Sequence, residues 1–190
     1  MLKYKIGDPI IKNKYILYVG DRAKHKNISH LIKAFNLIKD KIPHYLVIAG
    51  KKIKPKDEVD ELISKLNLKN RVIEITPSDL ELANLYKYAD LFVFPSLFEG
   101  FGLPPIEAVI FGVSVILSDI PSQRENFGDS ATYFNPLDEK DIAKKILLVL
   151  NDKQIKENLL EKEKKRIKEV INKEKIIGDL VNVLYEVANS

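Results

Sequence analysis

Cysteine is absent from the 190 residues, which excludes a disulfide framework, a thiolate nucleophile and a cysteine metal site, and is compatible with a reducing compartment. Tryptophan is also missing, and histidine occurs only at His25, His30 and His44, a spacing that matches no metal site. No apolar run approaches the ~20 residues that span a bilayer, and the amino terminus has no signal-peptide layout. The expected location is therefore cytoplasmic. A strong charge of one sign is lacking too: 31 basic and 27 acidic side chains leave a net charge of +4, too mild and too mixed to imply nucleic acid. The lysine excess suits peripheral contact with an anionic membrane surface, and a solvated surface explains it equally well. A dinucleotide-binding G-x-G-x-x-G does not follow the first predicted strand.

What the sequence does contain is organised around the stretch from Asp90 to Glu107. Leu91, Phe92, Val93 and Phe94 form an apolar run without polar alternation, the pattern of a strand buried on both faces of a parallel sheet. Pro95 and Ser96 stop the strand, Gly100 and Gly102 free the backbone for close approach of a ligand, and Pro104-Pro105 suits the first turn of a helix. A strand, a glycine loop and a helix start in direct succession aim free N–H groups and the positive end of a helix dipole at one spot. That spot favours phosphate or sugar hydroxyls. Glu99 lies in the loop and Glu107 in the first turns of the helix, so both carboxylates can face one ligand.

The length fits one domain with a full hydrophobic core. Residues 1–14 are polar, contain Gly7 and Pro9, and read as a connector that begins in mid-protein; residues 15–190 form the domain. Strands are expected at Tyr15–Val19, Tyr45–Ala49, Val72–Ile75, Leu91–Phe94, Val113–Leu117 and Thr132–Phe134. Between them, helical periodicity marks a helix capped by Asn27, a second through Val59, Leu62, Ile63 and Leu66, and a third opened by the capping box Ser78 to Glu81 and running through Leu82, Leu85 and Tyr86. A fourth helix ends at Gly112, and a short one lies near Ser122–Asn126. From Asp138 the chain reads as helical: one helix to about Leu150, a mixed-charge helix to about Val170, and a third from about Lys173 with an apolar stripe from Ile176 to Val187. Six strands alternating with helices predict an α/β fold, a Rossmann-like doubly wound parallel sheet with helices on both faces and a helical C-terminal tail. In the order 3-2-1-4-5-6, strands one and four are neighbours where the winding reverses, and ligands bind there, beyond the carboxyl ends of the strands. The Gly20–Lys26 loop should then face the Ser96–Pro104 loop across one crevice.

Arg22 and Lys26 would neutralise a diphosphate in that crevice, with the amides near Gly102 and Leu103 holding a group attached to it. A carboxylate only accepts hydrogen bonds and repels phosphate, so Glu99 and Glu107 should meet hydroxyls. A diphosphate flanked by a hexose and a ribose is a nucleotide-sugar. Simpler alternatives remain for each residue: Glu107 as a carboxylate near a helix amino terminus, Glu99 as a solvated loop acid, and Arg22 and Lys26 as solvent-facing cations.

The run Glu99-Gly100-Phe101-Gly102-Leu103-Pro104-Pro105-Ile106-Glu107 closely resembles the E-x7-E motif of retaining GT-B glycosyltransferases, in particular glycosyltransferase family 4. Tyr18-Val19-Gly20, His25-Lys26-Asn27, Leu31–Phe35, Ala89-Asp90, Pro95-Ser96, Glu125 with Gly128-Asp129, and Tyr133-Phe134-Asn135-Pro136 follow in the family's order and spacing. The resemblance covers about residues 15–187. It implies the carboxyl-terminal, donor-binding half of a retaining, metal-independent hexosyltransferase, with no cofactor beyond the nucleotide-diphosphate sugar. Position by position it implies that Gly20, Arg22 and Lys26 bind the diphosphate end, that Glu99 with the backbone of Phe101, Gly102 and Leu103 holds the donor sugar, and that Glu107 binds the ribose. The segment from Thr76 to Leu82 would lie against the base. Two departures stand out. Asp21 occupies a place where many members have a basic residue, with Arg22 one position later, and the amino-terminal, acceptor-binding half is missing. The expected partners are accordingly a nucleotide-sugar and an amino-terminal domain or subunit, without which the chain is expected to be inactive. The stripe from Ile176 to Val187 resembles the family's last helix, which crosses toward that half; packing on this domain's own core is the alternative. The competing functions are a nucleotide-sugar binding module, from a truncated chain or a split enzyme, and a sugar-nucleotide epimerase of the same fold.

Overall fold

A computed structural model describes residues 6–52 and 56–173. Its centre is a six-stranded sheet in the order β3-β2-β1-β4-β5-β6, the order expected from the alternation of strands and helices, and every pair is parallel. The strands are β1 (Tyr15–Val19), β2 (Tyr45–Ala49), β3 (Val72–Ile75), β4 (Leu91–Phe94), β5 (Val115–Ser118) and β6 (Thr132–Phe134). The helices are α1 (Ile28–Ile38), α2 (Glu58–Lys65), α3 (Asp79–Lys87), α4 (Leu103–Ile110), α5 (Pro121–Phe127), α6 (Glu139–Asn151) and α7 (Lys153–Lys173).

Alternation along β1 divides the core. Ile16 and Tyr18 point to one face, where α1, α2 and α6 cover them; Tyr15, Leu17 and Val19 point to the other, under α3, α4, α5 and α7. Because both faces are covered, β1, β4 and β5 are buried at every position. Winding reverses between β1 and β4, whose carboxyl ends lie side by side.

Local chemistry sets most helix starts. Ser78 and Glu81 cap α3 reciprocally, Asp138 accepts from the amides of Lys140 and Asp141 at the start of α6, and Asp57 with Asp60 builds a further capping box at α2. Two expectations need correction. Asn27 makes no capping bond to α1; it adopts a left-handed conformation and its side chain is engaged elsewhere. Strand five starts two residues later than expected, since Val113 still closes α4, donating to the Ala108 carbonyl at 2.9 Å after the left-handed turn at Gly112.

Residues 6–14 have no regular structure but are tied to α3. The Asn84 amide donates to the Asp8 carbonyl at 2.9 Å and accepts from the Ile10 amide at 3.1 Å, and the Tyr88 hydroxyl donates to the Gly7 carbonyl at 3.1 Å. The mixed-charge helix, α7, runs to Lys173, and the helix expected over Ile176–Val187 lies outside the described residues.

Candidate functional site

Beyond the carboxyl ends of β1 and β4 the two loops singled out in the sequence meet. The Leu97 amide donates to the His25 carbonyl at 2.8 Å. One residue on, Lys26 ends a 3-10 turn and places its Nζ 2.6 Å from Glu99 Oε1, with the side chains 18% and 11% exposed. The Phe94 ring lies 5.9 Å beneath the ammonium. Glu99 takes one of the three donors of Lys26, so two remain for an anion arriving in the crevice.

On the β4 side, Gly102 has φ 80° and ψ 66°, and a Cβ there would collide with the Gln123 carboxamide and lie 3.5 Å from the Phe94 ring. Only glycine fits. Of the amides a helix start leaves free, those of Pro104 and Pro105 do not exist, which leaves Gly102 and Leu103 as the donors at the amino end of α4. They are two of the three backbone positions, Phe101, Gly102 and Leu103, that the family resemblance assigned to the donor sugar. Phe101 is held from below, its carbonyl accepting from Asn126 Nδ2 at 2.5 Å. Around the loop Phe98 is 72% exposed and Leu97 and Leu103 are partly exposed.

Glu107, one turn into α4, is not a free helix-end carboxylate. Its Oε2 accepts from the fully buried Tyr86 hydroxyl at 2.7 Å, and Tyr86 stacks on Phe111. Burial pushes the Glu107 carboxyl above the usual carboxylate range, and the Tyr86 bond offsets part of this rise. Burial and the neighbouring Glu107 hold the Tyr86 phenol well above its ordinary value. Tyr86 thus fixes the Glu107 rotamer, a role that its place on a helical stripe concealed.

Arg22 and Lys26, expected at one diphosphate, have separate partners. The Arg22 side chain is 2% exposed and its guanidinium is surrounded by Asp57 and Asp60 of the α2 capping box, at 3.2 and 3.1 Å, and by Glu74 of β3. Lys52 joins from the loop after β2, 2.6 Å from Asp60 and 3.3 Å from Glu74. Burial works against the Arg22 charge, but hydrogen bonds to Glu74 and Asp60 more than compensate and raise its pKa. Burial likewise opposes the Asp60 charge, and Lys52, the Asp57 amide and Arg22 together bring its carboxyl well below the usual range. In this arrangement Arg22 braces the ends of β1, β3 and α2.

The remaining expected residues fall around this frame. Gly20 ends β1, its amide donating to the Ala49 carbonyl at 3.0 Å, and the Tyr18 hydroxyl donates to the Asp21 carbonyl at 2.9 Å. The Thr76 hydroxyl donates to the Gly50 carbonyl at 3.2 Å, while Leu82 packs partly buried on the core and leaves Leu80 as the exposed apolar side chain of that segment. A concavity of about 610 Å³ beside the β1 loop is lined by Arg22, Ala23, Asn27, His30 and Asp57. A second, of about 760 Å³, lies between α2 and β3 and includes Asp60 and Glu74. Neither contains Lys26 or Glu99, so the site rests on the hydrogen-bonded meeting of the loops. Among the described residues no group of three or more acidic or histidine side chains can hold a metal ion. No helix among them is long and apolar enough to cross a membrane.

A fixed ammonium paired with a carboxylate, two free amides and a second oriented carboxyl can bind a phosphorylated polyol. Residues 7–169 match the model of the family described as Glycosyl transferases group 1. The chain is 37% identical over 132 residues to the O-antigen chain mannosyltransferase RfbU of Salmonella typhimurium, an overlap of 68% of this chain and 36% of that protein. It is 34% identical over 187 residues to the N-acetylgalactosamine-N,N'-diacetylbacillosaminyl-diphospho-undecaprenol 4-alpha-N-acetylgalactosaminyltransferase of Campylobacter jejuni, covering 94% of this chain and 48% of that one. Among solved structures, sucrose-phosphate synthase from Thermosynechococcus elongatus superposes with a TM-score of 0.77 at 26% identity, over 94% of this chain and 47% of that one. The catalytic domain of cholesterol-alpha-glucosyltransferase from Helicobacter pylori gives 0.72 at 26% identity, over 83% of this chain and 98% of that one. The chain therefore spans between about a third and a half of the length of these two curated relatives. It belongs to the glycosyl transferases group 1 family.

Proposed function

We propose that this chain is the donor-binding half of a retaining, metal-independent glycosyltransferase of the GT-B, family 4 type, which moves a hexose from a nucleotide-diphosphate sugar to an acceptor bound by an amino-terminal half. The observation that carries this reading is the Lys26–Glu99 pair, 2.6 Å apart where the loops after β1 and β4 join, at the switch point where such sheets bind ligands. When the bond between sugar and diphosphate breaks, negative charge grows on the leaving group and positive charge on the sugar. Lys26 and the Gly102 and Leu103 amides stabilise the first, and no metal or cofactor is required of them. Glu99 accepts from donor hydroxyls and sets the sugar beside Lys26. Glu107, oriented by Tyr86, accepts from the ribose. Mannose is the first sugar to test, because the Salmonella relative is named a mannosyltransferase. A lipid-linked glycan is the first acceptor to test, because the Campylobacter relative is named for a diphospho-undecaprenol substrate. Such an acceptor fits a cytoplasmic protein working at the membrane surface.

Calorimetric titration with GDP, UDP and ADP and their sugar conjugates, repeated with Lys26→Ala and Glu107→Ala, tests the reading. One nucleotide should bind, and both substitutions should weaken it. Binding untouched by Lys26→Ala would reject the site. A second reading, a binding module inactive alone, draws on the incomplete span of the relatives. Sugar transfer that appears only after the amino-terminal half is added would distinguish it from an enzyme complete in this chain.

A further inference from the structure

The residue between Lys26 and α1 has no part in the scheme above. Asn27 is 6% exposed and sits at φ 57° and ψ 30°, the left-handed region, and it spends nothing on capping the helix it precedes. Its carboxamide makes three bonds instead. Nδ2 donates to the Pro95 carbonyl at 2.9 Å and to the Pro136 carbonyl at 2.7 Å, and Oδ1 lies 2.6 Å from His30 Nδ1. The orientation of the amide follows from chemistry. Two carbonyl oxygens can only accept, so the nitrogen must face them, and Oδ1 must then accept from a protonated His30 Nδ1.

These partners belong to different parts of the chain. Pro95 opens the loop that carries Glu99, Pro136 follows β6, and His30 stands in the first turn of α1. One side chain therefore joins the loops after β1, β4 and β6, and its own backbone is bonded to Lys26. The Leu97-to-His25 bond adds a second strut between the first two loops. We infer that Asn27 is a positioning residue for the donor diphosphate: by tying the loops after β1, β4 and β6 together it fixes where the Lys26 ammonium stands relative to Glu99. The inference rests on the donor-site reading above.

The conformation supplies a clean test. Asn27→Gly keeps the left-handed backbone at no steric cost and removes all three bonds. Asn27→Asp keeps the shape but sets a carboxylate against two carbonyls and loses both donations. His30→Ala removes one partner and leaves the backbone alone. Each is made in the full chain, checked for a native circular dichroism spectrum, and titrated by calorimetry with the nucleoside diphosphate that the unchanged protein binds best. Asn27→Gly should weaken binding about tenfold, the scale of misplacing one charge-assisted contact, and Asn27→Asp should weaken it more. His30→Ala should weaken it least. The decisive reading is a cycle with Lys26→Ala: in that background Asn27→Gly should cost no further affinity, because there is no ammonium left to misplace. Equal binding by Asn27→Gly and the unchanged protein, or losses that simply add in the cycle, would overturn the role of Asn27 alone. No nucleoside diphosphate bound by the unchanged protein would overturn the donor-site reading and this inference with it.

Discussion

Tyr86 donates its hydroxyl to Glu107 across the contact between α3 and α4, at 2.7 Å and with the phenol fully buried. Tyr86→Phe removes the donor and leaves a desolvated carboxyl, which should cost about 1–3 kcal/mol of stability by urea unfolding. It also removes the one interaction that lowers the Glu107 pKa. A carboxyl accepts two hydroxyls best when ionised, so donor affinity should fall as pH drops through the raised Glu107 pKa. In Tyr86→Phe the fall should begin at a higher pH. Calorimetry across pH 5 to 8 checks this, and identical profiles would dissociate Glu107 from the ligand.

Arg22 and Lys26 should separate under mutation. Removing Arg22 leaves Asp57, Asp60 and Glu74 together, with Lys52 as the one other cation paired with Asp60 and Glu74 among the described residues. A buried pair broken from one side costs about 3–5 kcal/mol, and these carboxylates are partly solvated, so a loss of about 2–3 kcal/mol is expected for Arg22→Ala. Lys26→Ala should leave stability within about 1 kcal/mol and act on nucleotide affinity. The Asp60 pKa is depressed in the fold. Its contribution is therefore complete above its unfolded value, near 3.9, and is lost as pH falls through the folded one. In Arg22→Ala acid unfolding should start at a higher pH. A variant with unchanged stability and abolished nucleotide binding would instead place Arg22 at the phosphates.

Gly102 and Gln123 are too close to admit a side chain between them. Gly102→Ala forces both a left-handed alanine and a shift of the Gln123 amide, so it should lower stability by about 1–2 kcal/mol and weaken donor binding. Trimming the neighbour relieves the collision but not the backbone strain. The double variant Gly102→Ala with Gln123→Ala should then recover part of the loss, a non-additivity measurable in a thermodynamic cycle. Strict additivity would show that the two positions do not press on each other.

Why some of this was legible in the sequence and some was not follows from the range of each interaction. The sheet order follows from local signals, since unbroken apolar runs such as Leu91–Phe94 mark buried strands and short links leave few windings. The β4 loop was equally plain, because Pro95, Gly102 and the two prolines of α4 carry their conformations with them. Asn27 was not. An asparagine before a helix reads as a cap, and only the fold brings it the carbonyls of Pro95 and Pro136, 68 and 109 residues away. The partners of Arg22 were hidden for the same reason: its three carboxylates arrive from α2 and β3, 35 to 52 residues on. The Glu107 partner was hidden by periodicity, which made Tyr86 one more apolar position on a stripe.

Glu163 offers a test that does not involve the ligand. It lies on the covered side of α7, fully buried, with Oε1 accepting from the Val115 amide at 3.1 Å and Oε2 without a partner among the described residues. Burial pushes its carboxyl well above the usual range, and the Val115 bond opposes this only in part. In the unfolded chain the same group titrates near 4.3. Between those two values the folded protein holds a proton that the unfolded chain has released, so stability is complete below about pH 4 and declines as pH rises toward the folded pKa. Asp90 acts with the opposite sign. The His44 bond, against the cost of burial and with help from Lys156, holds its carboxyl at about 2. Its contribution is present above about pH 4 and is lost as pH falls toward that value. Melting temperatures measured from pH 3 to 9 should therefore fall at both ends for distinct reasons. Glu163→Gln keeps the shape and the acceptor for Val115 and abolishes the titration, so it should flatten the decline on the alkaline side and leave the acid side unchanged. An alkaline decline that persists unaltered in Glu163→Gln would mean that the buried carboxyl is already ionised in the fold, and that α7 docks on β5 in spite of its charge.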